Sequence, residues 1–393
     1  MNIAWVSHGS SLAGGAELSM SEAVKGLIEA GHKVHMAVPE WGALADRLIG
    51  FGAEVSAVPG YASWVYSGFT PNLHYRVRRL VSNLWRGRRL ARLFKQLQAD
   101  LVVSSTIGSP AGALAARWAD VPHIWCVHEL FGAEGQDQAS FDLGAPLSLR
   151  LMDKLSSRVV VNSSATLEKY KDWIPAEKLR LIYYAVEVSP LPAKTEIADE
   201  RLRLVIVGRI APGKRQEDAV RAVSLLARRG LDVQLSIVGN HGNDYGAFLQ
   251  RLTQELAIED HVTFVGYTSD PHSFVAESDL ALVCSRGESF GRVTVEAMKL
   301  GKPVVGAADA GTNELVRDGV NGLLYRFGDV EELSRCIESV YRNKDLRKKM
   351  GAAAKEWANA QFSLEKHTSA LINIFEEVRT ESRMKNSRGV GKH

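Results

Sequence analysis

Cysteine is scarce in this chain. Its 393 residues include only Cys126, Cys284 and Cys336, an odd number, widely scattered, with no metal-knuckle or redox-pair spacing. That excludes a disulfide framework and points to a reducing, cytoplasmic setting. Long apolar runs are also missing. No uninterrupted stretch approaches the roughly 20 residues of a bilayer-spanning helix, so membrane contact is expected to be peripheral at most. The opening residues carry no basic segment and reach Ser7 and His8 after a short apolar run, which reads as a buried first strand and not a secretory signal. Charge of one sign is lacking too: 48 Lys and Arg against 45 Asp and Glu leave +3, too little to argue for nucleic acid. No Gly-x-Gly-x-x-Gly follows a strand, which argues against a dinucleotide dehydrogenase. No Asp-x-Asp stands at a strand end, so no metal site is expected.

What is present is a soluble, globular composition, 46% apolar and 24% charged, at a length suited to two domains. Short apolar runs alternate with helical patterns. Ile3–Val6, Lys33–Val38, Glu54–Val58, Leu101–Ser105, His123–Val127 and Arg158–Val161 read as strands in the first half. Arg203–Val207, Gln234–Val238, Val262–Gly266, Leu280–Ser285 and Pro303–Gly306 do so in the second. Runs apolar on both faces imply parallel strands covered by helices on both sides, an α/β, doubly wound class. The pattern restarts near residue 201, after a stretch holding Pro190 and Pro192. The expected layout is a first Rossmann-like domain at 1–187, a linker at 188–199, a second domain at 200–362, a last helix at 363–380 and a polar, disordered tail at 381–393. Ligands in such sheets bind at the carboxyl ends of the strands.

The residues with chemistry cluster at those ends. Glu288 and Glu296 have seven residues between them, the first in a turn after a strand, the second in the second turn of the following helix. Ser289, Phe290 and Gly291 open that helix, whose N-terminus offers unpaired N–H groups and a positive dipole end to a phosphate. Flanking carboxylates would accept hydroxyl groups, which suggests a ligand with sugars on both sides of a phosphate. The plain alternative is a capping carboxylate and a solvated helix residue. Gly208-Arg209 follows a strand, with Lys214 and Arg215 close behind, so that Arg209 and Lys214 can converge on a diphosphate. Gly311, Thr312 and Glu314 open another helix after a strand. Gly14 and Gly15 do the same after the first strand, where paired glycines allow close backbone approach, or simply a turn. Glu17 reads as a helix-start residue. His128 and Glu129 lie just past a strand, as does His8, and Ser163 reads as an N-cap after Asn162.

In this order and spacing the motifs resemble glycosyltransferase family 4, retaining enzymes with the two-domain GT-B architecture. The likeness is firm over 203–362 and looser over 1–165. It implies a cleft between two Rossmann-like domains, a last helix crossing back to the first domain, and transfer of a hexose-type sugar from a UDP- or GDP-sugar to a hydroxyl acceptor with retention, in polysaccharide or glycolipid assembly. By resemblance, Arg209 and Lys214 hold the diphosphate, Glu296 the ribose, Glu288 the transferred sugar, and His128 contacts that sugar. The backbone at Val265, Gly266 and Tyr267 holds the base, while Gly14, Gly15, Gly208, Ser289, Phe290, Gly291, Gly311, Thr312 and Glu314 lie around the donor, and Asn162 faces the cleft. Asp318-Gly-Val-Asn-Gly322 matches a structural turn of the family. Arg215 stands where the family has a glycine. The donor is a co-substrate, and neither cofactor nor metal is implied. A sugar-nucleotide epimerase of similar build and a non-catalytic nucleotide-binding scaffold remain the alternatives.

One segment stands apart. Residues 72–97 contain seven arginines and one lysine but no acidic residue, with leucines and valines at helical spacing, and the aromatic stretch Tyr61–Phe69 precedes them. Such a helix can lie on an anionic membrane surface, bind an anionic acceptor, or simply expose a basic face. Many of the family's acceptors are lipid-linked.

Overall fold

A computed structural model describes residues 1–12, 14–60, 63–66, 71–130, 140–189 and 201–390. The chain divides into two compact units, one formed by Met1–Gly132, Asp137–Ala185 and Ser363–His393, the other chiefly by Val186–Phe362. Most of the expected linker, residues 190–199, lies outside the described residues, as do Tyr61 and Phe69 of the aromatic stretch and residues 391–393 of the expected tail.

The first unit is built on seven parallel strands in the spatial order Glu54–Ala57, Lys33–Val38, Asn2–Val6, Leu101–Ser105, His123–Val127, Arg158–Val161 and Leu179–Leu181. Successive residues of a strand point to opposite faces. In the first strand Ile3 and Trp5 therefore enter one core layer with Met20, Leu27 and Met36, while Ala4 and Val6 enter another with Leu90 and Phe94. A third cluster stacks Trp64 on Trp125, ring centroids 6.2 Å apart. It sits beside the two-residue strands Val65–Tyr66 and Ser140–Phe141, which pair antiparallel. The basic segment forms the helix Leu73–Gln96, capped where the Asn72 side chain accepts the Tyr75 N–H at 2.8 Å.

The last helix belongs to this unit. It runs Leu364–Val390 and places Leu371, Ile374, Phe375 and Val378 in the layer that holds Trp5. The expected end at Thr380 is thus corrected: the polar segment continues the helix. The reason is electrostatic, because the buried Arg158 guanidinium reaches Glu377 at 2.7 Å and Glu381 at 2.5 Å. Glu381 is therefore anchored one turn beyond the last apolar contact.

The second unit carries six parallel strands in the order Val262–Gly266, Val233–Val238, Leu202–Val207, Leu280–Val283, Val304–Ala307 and Gly322–Tyr325. The α/β, doubly wound class read from the sequence therefore holds in each unit. Two edge strands escape the pattern analysis, Leu179–Leu181 and Gly322–Tyr325. Both are too short to show a period, and the second emerges directly from the Asp318–Gly322 turn, where Asn321 Oδ1 accepts the Arg317 N–H at 2.7 Å.

The ring of Phe375 is fully buried among residues from the sheet's own helices. Phe375→Ala is expected to destabilise the first unit by about 3–5 kcal/mol, read as a lowered midpoint of urea unfolding.

Candidate functional site

In the second unit the carboxyl ends of the strands are crowded by design of the backbone. The strand Leu202–Val207 exits at Gly208 with φ +146, and a Cβ on neighbouring Gly239 would lie 2.0 Å from the Gly208 carbonyl oxygen. Main chain, not side chain, lines this edge. Arg209 follows with its side chain exposed and no ion-pair partner among the described residues, while its carbonyl is held by Gln216 Nε2 at 3.0 Å. A single 3-10 turn, Pro212–Lys214, then lifts Lys214 over the edge.

Lys214 meets Glu288. The ammonium lies 2.6 and 3.0 Å from the two carboxylate oxygens, and both side chains are partly exposed. Arg215 does not join them. It adopts the left-handed conformation, φ +53, ψ +38, which favours glycine, and its guanidinium is tied to Asp218 at 2.7 Å and Glu217 at 2.9 Å. The position needs a left-handed backbone. Here an arginine supplies it, with its side chain pinned away.

The Glu288 loop is stitched to the next one. Gly311 N–H donates to the Glu288 carbonyl at 2.8 Å, and Gly287 N–H donates to Asp309 Oδ2 at 2.5 Å. A Cβ on Gly311 would stand 2.8 Å from the carbonyl oxygens of both Glu288 and Phe290. Gly311 is therefore required by the loop packed on it. The helix Arg292–Lys299 starts from Gly291, at φ +94, with no side-chain cap. The Phe290 ring is buried edge-on against Phe362, and Thr312 is fully buried; a ligand can meet only the main chain of either. Ser289 and Glu314 are half-buried nearby in sequence.

Glu296 is separate from the Lys214 pair. Its carboxylate lies 3.4 Å from Arg292 Nε and 3.7 Å from His272 Nε2. Burial pushes its pKa up, but the neighbouring His272 ring and Arg292 guanidinium outweigh this and hold it below the ordinary value. It stays ionised and can accept hydroxyl hydrogen bonds. His272 was not singled out from the sequence; the available signal was its place in the first turn of a helix opened by Asp270 and Pro271. At the far edge Gly266 has φ +86, and its carbonyl accepts the Gly239 N–H at 3.0 Å. Val265 is half-buried and the Tyr267 side chain is exposed.

The first unit gathers a second polar group at its own strand ends. Gly14 precedes the helix Gly15–Glu29, and a Cβ on it would lie 2.2 Å from Glu17 Oε2. The glycine makes room for that carboxylate, which pairs with His8 Nε2 at 3.0 Å. Glu129 Oε2 accepts the N–H groups of Ile107 and His128, each at 3.1 Å, and burial raises its pKa above the ordinary value despite these bonds. His128 is buried, with Nδ1 on the Tyr184 hydroxyl and Nε2 without a partner. Burial, with the nearby His8 charge, lowers its pKa to about 3, so the ring is neutral. Asn162, which the resemblance has facing the cleft, is buried: its side-chain amide donates to Tyr184 Oη at 2.9 Å and its side-chain carbonyl accepts from Thr166 Oγ1 at 2.9 Å. Ser163 caps the next helix, as read.

Two family models match the chain. The one described as Glycosyltransferase Family 4 covers residues 13–190, and the one described as Glycosyl transferases group 1 covers 189–357. Among curated relatives, the N-acetyl-alpha-D-glucosaminyl L-malate synthase of Bacillus anthracis is 30% identical over 197 residues, half of this chain and 51% of that one. The GDP-mannose-dependent alpha-(1-6)-phosphatidylinositol monomannoside mannosyltransferase of Mycobacterium tuberculosis is 27% identical over 317 residues, 74% and 76% of the two chains. Among solved structures, Anabaena Alr3699/HepE in complex with UDP-glucose superposes with a TM-score of 0.75 at 22% identity, covering 96% of this chain and all of that one. This last likeness establishes the GT-B fold.

The His8–Glu17 pair has a pH signature. Burial lowers the His8 pKa, but Glu17 and Glu129 raise it above its ordinary 6.5. Burial raises that of Glu17, but His8 lowers it below 4.5. The histidine's contribution to stability is full below 6.5 and fades as pH rises through its folded value; the glutamate's is full above 4.5 and fades as pH falls through its own. The stability lost in Glu17→Gln should therefore be largest between about 4.5 and 6.5, measured by thermal unfolding across pH. A loss independent of pH would show that the pair carries no charge.

Proposed function

The chain belongs to glycosyltransferase family 4, and from that footing we propose that it moves a hexose-type sugar from a UDP- or GDP-sugar to a hydroxyl acceptor with retention at the anomeric carbon. The observation that carries the reading is the grouping in the second unit of Lys214, Glu288 and the uncapped start of the helix Arg292–Lys299, with Arg209 exposed on the neighbouring strand end. Cations and main-chain N–H groups suit a diphosphate, and ionised carboxylates suit sugar hydroxyls.

Arg209 and Lys214 hold the diphosphate and stabilise the charge that grows as it leaves, the task a divalent metal performs in other transferases. Glu296 accepts from the ribose and Glu288 from the transferred sugar. The main chain at Val265, Gly266 and Tyr267 holds the base, with Gly208, Ser289, Phe290, Gly291, Gly311, Thr312 and Glu314 as the surrounding frame. In the first unit the partnerless Nε2 of neutral His128 is assigned to a sugar hydroxyl. The acceptor oxygen bonds to the anomeric carbon on the face from which the diphosphate departs. The anomeric carbon's bond to phosphate oxygen breaks, and that oxygen takes the acceptor's proton. The donor is a co-substrate, and no bound cofactor enters the scheme.

Thermal stabilisation against UDP, GDP and their sugars tests the donor. A shift for one base that the double variant Arg209→Ala, Lys214→Ala loses supports the reading, and the same variant should lower kcat about 10²–10³-fold. No shift across the panel would overturn it.

We assign the acceptor to a lipid-linked hydroxyl compound at a cytoplasmic anionic membrane surface, within polysaccharide or glycolipid assembly. No helix among the described residues is long and apolar enough to cross a membrane. The helix Leu73–Gln96, however, leaves Leu73, Val77, Val81, Leu84 and Trp85 exposed along one stripe, next to exposed Arg78, Arg88, Arg89 and Arg92. Basic side chains near an anionic surface contribute about 1 kcal/mol each. The protein should co-sediment with vesicles containing phosphatidylglycerol but not with pure phosphatidylcholine, and Arg88→Glu, Arg89→Glu, Arg92→Glu together should abolish this. Equal sedimentation with both vesicle types would refute the electrostatic component.

A further inference from the structure

We infer that Glu288 sets the preference of this site for an intact nucleotide sugar over the nucleoside diphosphate left behind, by competing with phosphate for Lys214. The inference rests on the donor reading above and deepens it.

The competition follows from geometry. Lys214 gives its ammonium to both oxygens of Glu288, at 2.6 and 3.0 Å. A phosphate that takes this cation must displace the carboxylate. No other basic group of the same loop can stand in, because Arg215 is bound to Asp218 and Glu217 and stacks over Phe327, 5.7 Å from the ring centre. Arg209 is already open to the ligand, so Lys214 is the contested cation.

The main chain that carries the displaced carboxylate has little freedom to move away. Its own carbonyl holds the Gly311 N–H, the preceding Gly287 N–H is fixed by Asp309, and Gly311 packs against the carbonyl oxygens of Glu288, Ser289 and Phe290. Glu288 is only partly exposed. Once Lys214 turns to phosphate, the carboxylate remains beside the new negative charge without its counter-ion. An intact nucleotide sugar offsets this, because sugar hydroxyls can donate to the freed oxygens. A nucleoside diphosphate has no such donors there. The pair thus weakens binding of the spent donor and favours its release.

Titration calorimetry with UDP, GDP and inorganic pyrophosphate on the wild-type protein, Glu288→Gln, Glu296→Gln and Lys214→Ala tests this. Glu288→Gln should bind the cognate nucleoside diphosphate and pyrophosphate about fivefold more tightly, the ratio equivalent to the ~1 kcal/mol upper range of a solvent-exposed ion pair. It should bind the corresponding nucleotide sugar less tightly, so that the preference for sugar over diphosphate falls. Glu296→Gln, whose carboxylate answers to Arg292 and His272, should not tighten pyrophosphate. The inference is overturned if Glu288→Gln binds diphosphate no better than wild type, or if Glu296→Gln tightens it equally, which would make the effect one of general charge. If the wild type binds neither nucleotide and Lys214→Ala changes nothing, the donor reading itself fails. Unchanged melting temperatures of the variants without ligand keep folding defects out of the comparison.

Discussion

Two hydrogen bonds donated by main-chain N–H groups, Gly311 to the Glu288 carbonyl and Gly287 to the Asp309 carboxylate, hold the chemistry of the second unit in place. They tie a turn following one strand to the turn following the next, at the edge where parallel strands end together. With that turn fixed, Glu288 can meet a lysine carried by a third strand end, and the helix beginning at Arg292 starts with no side-chain cap. The glycines nearby answer to the same constraint. Gly311 leaves room for a carbonyl, Gly239 for another, and Gly291 turns the chain with a positive φ. Precision at such a site comes from backbone packed on backbone, which offers few alternative positions.

The first unit solves a related problem with side chains. Neutral His128, Tyr184 and Asn162 form one hydrogen-bonded group under the strand ends, and Asn162 is fixed in turn by Thr166. Glu129 turns its carboxylate back onto two main-chain N–H groups. His128, Glu129 and Asn162 each lie just beyond a strand terminus. There the ladder of the sheet stops supplying partners and polar side chains must do so.

The doubly wound class was legible because parallel strands buried on both faces leave continuous apolar runs, such as Leu101–Ser105 and Arg158–Val161. The edge strands Leu179–Leu181 and Gly322–Tyr325 were not, although the opposite edges, Glu54–Ala57 and Val262–Gly266, were. Individual residues of the candidate site could be singled out from local motifs, but their pairing could not. Lys214 and Glu288 are 74 positions apart, and no spacing rule places one on the other. The same limit hid the second partner of Glu296, since nothing local links His272 to it. Phe290 and Thr312 illustrate the converse: a motif names positions without saying whether side chain or main chain faces outward. The polar composition after Thr380 suggested disorder because composition does not reveal that Arg158, more than two hundred residues earlier, holds Glu381.

The last helix also orders events during synthesis. The sheet of the first unit is complete once Leu181 has left the ribosome, but one of its core layers waits for Leu371, Ile374, Phe375 and Val378. The second unit, from Val186 to Phe362, is nearly continuous in sequence and its core needs nothing that comes later. Domains tend to fold as units as they emerge. The half of the chain made first must therefore be finished last, with part of one apolar layer uncovered throughout translation of the other half.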